Sequence, residues 1–393
     1  MKKLPLSLIT VALIALPSAV SAQATVTWLG GTGDGNDPAN WDTGVRPTSS
    51  DTIIINGGTI DPFATSDGAN FTGTLNLNDG TLTGQVGNAT AGRVNGSTYN
   101  IGDGVGASSS AVYTSPAFQR DGGAVIVNIL SDGFMEVNGN YNRRGGPSTT
   151  TTVDGGTLKI DGVYVQGNGT EQDNLTVRNG GTVILGDGTV DDSTIRSGSL
   201  NVESNSNLTG NEFRKDNDSV ASFNIFGAGS NISLNQIGAF SDGENGTIGF
   251  NLASDGLSSI SVVQDFTDTG DFSIGSFTTG WEIDLAAADG LGTYTDTDPI
   301  VLFDFLDAGV DQTDLNSIAG SLLWTDEGTI AGATVADGGT VEIGLNEFTL
   351  NYTDVDTTGG QITLTLIPEP STLSFLVVIG LLFVGSRRFS RRA

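Results

Sequence analysis

Small-residue turns recur along this chain at a nearly constant interval, and that interval restricts the fold more than any other feature. Taking one glycine per turn, they fall at Gly57, Gly80, Gly104, Gly133, Gly155, Gly180, Gly198, Gly229 and Gly256, spaced 18 to 31 residues apart. The segments around them look alike: Asn56-Gly57-Gly58-Thr59-Ile60, Asp154-Gly155-Gly156-Thr157-Leu158 and Asn179-Gly180-Gly181-Thr182-Val183. Asn-Gly, Asp-Gly and Gly-Gly pairs supply the positive φ that tight turns require. Between them lie short alternating runs such as Thr52-Ile53-Ile54-Ile55, Leu75-Asn76-Leu77 and Thr157-Leu158-Lys159-Ile160, which are strand signals. A period in the twenties is that of one turn of a β-solenoid. Eight such coils stacked at about 4.8 Å make a rod of roughly 40 Å. Interior Val, Ile and Leu would then form ladders, with Asn76 and Asn179 stacking at corners. A β-sandwich array is the alternative, because hairpin turns use the same pairs.

The expected class is therefore all-β: a parallel β-solenoid (β-helix) over 51–261, with no helix between Gln23 and Ile367. Residues 23–50, with Trp28, Trp41 and Pro47, read as an N-terminal cap for the open sheet edge, or alternatively as a sugar-binding platform. Residues 262–367 have fewer Gly-Gly turns and longer strands, such as Ile300-Val301-Leu302-Phe303 and Ile362-Thr363-Leu364-Thr365-Leu366. They read as a C-terminal β-domain or widened cap, with an extension of the same solenoid as the other option.

The two ends have a different character. Residues 1–22 form a signal peptide: Lys2 and Lys3, an apolar core from Leu4 to Leu16, and Val20-Ser21-Ala22 as a small-residue cleavage site before Gln23. The apolar part is too short for a membrane helix and ends in Pro17. Residues 368–393 begin Pro368-Glu369-Pro370, continue through an apolar run, and end with Arg387, Arg388, Arg391 and Arg392. As a helix, 371–386 would span roughly 24 Å. That is short for a bilayer core of about 30 Å, but usable if arginines snorkel. The arginines keep this end cytoplasmic. Hydropathy alone describes a plain C-terminal anchor.

Pro368-Glu369-Pro370, the short helix from Leu373 to Val384, and Arg387 with Arg388 together resemble the PEP-CTERM sorting signal of exported bacterial proteins. The resemblance covers 368–393. It implies recognition by exosortase, a membrane protease-transpeptidase that cuts near the motif, with transient residence in the inner membrane before release to the surface. Such a tail is an address rather than an activity. The opening and the Gly-Gly-Thr coils, over 24–265, also resemble the autotransporter-associated β-strand repeats of bacterial surface passengers.

Composition narrows what the body can do. The chain has 16 Lys+Arg and 45 Asp+Glu, and lacks both His and Cys. Two lysines lie in the signal and four arginines in the tail, so residues 23–370 carry ten basic groups and a net charge of −35. Such a surface repels nucleic acid and anionic lipid. Absence of Cys and His excludes disulfides, a Ser-His-Asp triad, a Cys nucleophile and the usual zinc sites. Gly102-Asp103-Gly104-Val105-Gly106 matches phosphate-loop spacing only loosely, with no helix following. Carboxylates remain. A glycosidase needs two that face each other, whereas Asp191-Asp192, adjacent on a strand, would point to opposite faces. A lyase needs a base near a sugar acid, and Arg143-Arg144 is the one pair of adjacent arginines in the body. No cofactor is expected, with Ca2+ as the alternative. Asp34-Gly35-Asn36-Asp37, Asp268-Thr269-Gly270-Asp271 and Asp296-Thr297-Asp298 gather oxygen donors, though none completes an EF-hand and each is also an ordinary Asp-rich turn. The expectation is a non-enzymatic exported surface or matrix protein whose partners are signal peptidase and exosortase, with extracellular polysaccharide as a further candidate. The rival readings are a polysaccharide-active β-helix enzyme and a carbohydrate-binding or adhesive module.

Overall fold

Strands that alternate apolar and polar residues must bury one face, and a chain that turns at small residues can do so by coiling on itself. In the computed structural model the chain does this. The structure describes residues 23–368 apart from 62–63, 85, 87–92, 106–109, 121, 144–147, 167–172, 187–191, 196–197, 216–220, 240–245, 264–272, 289, 307–308, 327–331 and 356–358. It is all-β, built around a parallel β-solenoid of about seven turns. Each turn has three sides. In one coil these are Thr149–Asp154, Thr157–Ile160 and Tyr164–Gln166. Each strand pairs in parallel with its counterpart one coil on: Asp173–Arg178 on the first face, Thr182–Leu185 on the second and Asp192–Ile195 on the third. The sandwich alternative, which needs antiparallel neighbours, does not describe these coils.

Register makes the core a set of ladders. Ile55, Leu77, Ile101, Ile129, Val153 and Val177 stack one above another, fully buried. Each such side chain removed from water is worth roughly 1.5–3 kcal/mol. A second column is aromatic: Phe71, Tyr99, Phe118, Tyr141 and Tyr164 follow with ring centroids 5.9, 5.3, 5.0 and 5.6 Å apart. The Tyr141 and Thr151 hydroxyls share a hydrogen bond of 2.8 Å.

The corner between first and second faces explains the repeated glycines. A Cβ on Gly156 would collide with the Leu130 carbonyl oxygen of the coil below. The nine turn glycines do not all serve this corner, however. Gly104 sits in a widened corner between Thr98–Ile101 and Ala111–Ser115. Gly198 instead opens a first-face strand, Gly198–Val202, at φ +105 against the Asp173 backbone. In that coil the corner is turned by Asn205 at φ 62, since asparagine tolerates the left-handed region. The asparagines also divide. Asn179 is at a corner, donating to Asp154 Oδ1 at 2.6 Å. Asn76 is in mid-strand on the outer face, accepting from Asn100 Nδ2 at 2.7 Å, and Asn128 Nδ2 donates to Asn100 Oδ1 at 2.8 Å.

Both ends are closed. At the start, Trp28 and Trp41 are buried edge to face, 5.2 Å apart and joined by an antiparallel bridge. Leu29 N–H donates to the Asn40 carbonyl and Asp42 N–H to the Thr27 carbonyl, covering the first strand's edge. The buried Asp51 carboxylate accepts from Ala24 N–H at 3.0 Å and Thr48 N–H at 2.7 Å. At the far end, Trp281–Ala287 and Ile300–Phe305 continue the first and second faces in parallel. The third side becomes helical, which corrects the expectation of no helix. α1 (Ile274–Gly280) packs on Asn231–Ala239, and α2 (Gln312–Ser321) packs beside α1. Both begin with capping boxes, Ser273 with Ser276 and Asp311 with Asp314. α2 buries Leu315, Ile318 and Ala319 at helical spacing. The chain then reverses: Gly360–Leu366 lies antiparallel to Ile300–Phe305, and Asn346–Asp354 antiparallel to Gly360–Leu366.

Gly156→Ala should lower stability by more than about 1 kcal/mol, because backbone rather than a yielding side chain meets the new methyl. Gly292→Ala, with open space around it, should stay within about 0.5 kcal/mol. Urea denaturation of both variants checks the contrast, and equal costs would mean the corner is not close-packed.

Tyrosine titration tests the aromatic column. Burial pushes the Tyr99, Tyr113, Tyr164, Tyr294 and Tyr352 phenols above their ordinary value, Tyr113 to about 12. The fold favours the protonated form. Its contribution is therefore complete below the unfolded pKa of about 10 and is lost as pH rises past it. Phenolate absorbance should appear late and together with loss of β circular dichroism. Reversible ionisation of all tyrosines near pH 10 in folded protein would contradict the burial.

Candidate functional site

The four tryptophans, the residues best suited to a sugar platform, are all buried. Trp41 Nε1 donates to the Gly35 carbonyl and Trp281 Nε1 to the Gly238 carbonyl. Trp28 and Trp41 fill the end of the stack, so their rings offer no exposed stacking face.

Among the described residues no three carboxylates gather in a way that could hold a metal ion. Asp34 Oδ1 accepts from the backbone and side-chain nitrogens of Asn36, and Asp37 Oδ1 caps a short helical turn at Ala39. Asn36 Oδ1 accepts from Arg46 and from Ala64 N–H. These oxygens thus hold the turn together. Asp296 Oδ1 does likewise with Asp298 N–H at 3.1 Å. Asp268 and Asp271 lie outside the described residues, as do Asp191 and Arg144; the side chains of Asp192 and Arg143 are also outside them.

Ionisation points the same way. The Asn179 amide, aided by the Arg178 guanidinium, holds the Asp154 carboxyl below its usual range against the opposing effect of burial. Burial raises the Asp67 carboxyl, but the Ser49 hydroxyl and neighbouring N–H groups outweigh it and leave it lowered. Asp311 is lowered by the Asp314 and Thr313 N–H groups it caps. A general acid needs the opposite direction. Cations are engaged as well. Arg178 Nε and Nη2 reach Asp154 Oδ2 at 3.0 and 2.8 Å, and Lys159 lies 2.8 Å from Glu136 and 2.9 Å from Asp161.

Two concavities lie where the last strand ends. A groove of about 370 Å³ is lined by Glu342, Leu345, Asn346, Glu347, Ile367 and Pro368. A neighbouring one of about 270 Å³ adds Tyr294 and Thr297. Buried Asn346 fixes their floor, accepting from Tyr294 N–H at 2.6 Å and donating to the Gly292 carbonyl at 3.1 Å. Leu345 is 75% exposed at the rim. Of the residues singled out for export and sorting, Gln23 is exposed and donates to Thr52 Oγ1, and Pro368 lines these grooves. Ala22, Glu369, Pro370, Arg387, Arg388 and the segment 371–386 lie outside the described residues. Among the described residues no helix is long and apolar enough to cross a membrane.

Comparison with protein-family models, with curated proteins and with solved structures finds no match for this chain.

Buried indoles should emit at short wavelength and resist iodide quenching. Sugars added to the native protein should leave the emission unchanged. A red-shifted, freely quenched component in the native protein would put at least one tryptophan on the surface and restore the platform reading.

Proposed function

We propose that the protein is an exported, non-enzymatic component of a bacterial cell surface or extracellular matrix. In this reading 1–22 is removed by signal peptidase between Ala22 and Gln23. The tail 368–393 holds the chain in the inner membrane through a short helix over 371–386, as in PEP-CTERM proteins. An exosortase then cuts near Pro368-Glu369-Pro370, while Arg387 and Arg388 anchor the other end on the cytoplasmic side. The observation that carries the reading is the placement of the motif. The last strand, Gly360–Leu366, closes the sheet, and Pro368 follows two residues later. The scissile region would thus begin just where backbone hydrogen bonding ends, and proline at 368 and 370 prevents its continuation. A 16-residue helix spans a bilayer poorly, which suits a transient anchor better than a permanent one. The acidic, three-sided rod supplies a self-contained, highly charged body for such delivery.

Mass spectrometry of the protein recovered from its producing cells tests the proposal. The mature chain should start at Gln23 and end near 368–370. Replacing Pro368, Glu369 and Pro370 by alanine should keep the chain uncut and in the membrane fraction. An intact C-terminus through Ala393 in every fraction would make the tail a plain anchor.

A further inference from the structure

On the outside of the solenoid's first face two rows of side chains run in register along the rod. One runs from Thr25 to Thr247 and the other from Thr27 to Gly249, across the same ten strands. The twenty positions hold nine threonines, six asparagines, two serines, two isoleucines and one glycine. None is charged, in a body whose net charge is −35.

The fold does not require this neutrality. The next outward row carries Asp154 and Arg178, with Glu203 just past the end of Gly198–Val202. On the second face, the equivalent outward row carries Asp61, Glu136 and Lys159. Charge resumes at Glu282 and Asp284, the next positions of the two rows themselves. The uncharged strip is thus bounded by charge along one edge and at one end. Its amides are held in place: Asn224 Nδ2 donates to Asn201 Oδ1 at 2.8 Å, and Ser199 Oγ to Asn174 Oδ1 at 2.7 Å.

We infer that this strip is a docking surface for one extended chain of an uncharged, hydroxyl-bearing polysaccharide. Ten strands at about 4.8 Å make it about 43 Å long, and residues two apart place the rows about 7 Å from each other. That shape accommodates a single polymer chain lying along the rod. A second copy of the protein would bury only about 400–500 Å² here, against about 800 Å² per partner in a stable interface. An anionic polymer would meet the acidic rest of the body. Alternating hydroxyl and amide groups offer donors and acceptors at every coil, matching a partner whose own hydroxyls repeat along its length. Each contact is weak, so binding depends on chain length, through many simultaneous contacts.

The inference rests on the protein reaching the cell exterior. It uses the exported protein itself, so that failure of binding and failure of tail processing are read separately: the first by electrophoresis, the second by the mass of the C-terminus. The probes are native gels containing soluble glucomannan, laminarin or dextran, with alginate as the acidic polymer. At least one neutral polymer should retard the protein, its short oligosaccharides should not compete, and alginate should have no effect. Ile126 and Thr150 are exposed neighbours in one row. Ile126→Glu with Thr150→Glu should weaken retardation about tenfold or more, since each carboxylate must be desolvated without a partner. Thr83→Glu with Thr114→Glu on the second face should leave it unchanged, and Thr150→Val should weaken it a few-fold while keeping the β-branched shape. Circular dichroism confirms that each variant is folded. No retardation by any neutral polymer overturns the inference, as does equal retardation by alginate or equal loss from the second-face pair. Self-association in sedimentation velocity that disappears with the first-face pair would assign the strip to a second copy and overturn it too.

Discussion

The in-register parallel stacking of coils is the constraint on which the rest depends. Once each strand takes its hydrogen-bond partners from the coils above and below, a residue at a given place in one coil must tolerate its counterpart about 4.8 Å away. Inside, this sorts residues into columns of matched bulk, such as Ile101, Ile129 and Val153. At the corner, where backbone passes over backbone, it leaves no room for a Cβ at Gly156. Outside, it brings like side chains together, which suits amides and hydroxyls and penalises like charges. Asp154 opposite Arg178 and Glu136 opposite Lys159 are opposite-charge pairs of this kind, whereas Asp34 opposite Asp61 and Asp192 opposite Glu212 set like charges in register.

That rule is why the repeat was legible and why parts of it were not. Gly-Gly-Thr at 155–157 and 180–182 mark one corner of successive coils, and their spacing is enough to name a solenoid. Gly198 belongs to a different corner, and a count of glycines alone cannot separate the two. Asn205 does the glycine's work in that coil, and the signal was present as an asparagine between two serines, Ser204 and Ser206. The third face was hardest to see. Its strands, such as Tyr141–Arg143 and Tyr164–Gln166, are only three residues long. Three residues show no period, yet the aromatic column beneath them fixes their place.

The helices were missed for a related reason. α1 has seven residues and α2 ten, shorter than the window over which a helical period stands out. Asp311 and Asp314 before Leu315, Ile318 and Ala319 form a capping box followed by an apolar stripe, a readable signal hidden among many other aspartates. The candidate chemistry followed a different course. Asp-rich turns look alike in sequence whether their oxygens face a cation or the backbone. In the turn at Asp34, Asn36 and Asp37 those oxygens accept N–H groups, contacts that no spacing of aspartates announces.

A parallel stack would extend indefinitely if its ends were left as bare edges, because each edge presents unpaired N–H and C=O groups to another chain. The two ends of this rod stop it by different means. At the start, the chain doubles back so that Asn40 and Asp42 meet Leu29 and Thr27, and two large rings fill the space a further coil would occupy. At the finish, the third side changes from strand to helix, and a helix offers a following coil no strand to pair with. The second face then takes an antiparallel partner, Gly360–Leu366, in place of another parallel strand. Direction matters here, because an antiparallel strand cannot be the first rung of another coil in the same sense. The reversal therefore ends the repeat and delivers the chain to Pro368, at the rim of the closing sheet. A rod closed in this way keeps a fixed length and presents its long faces, rather than its ends, to whatever surrounds it.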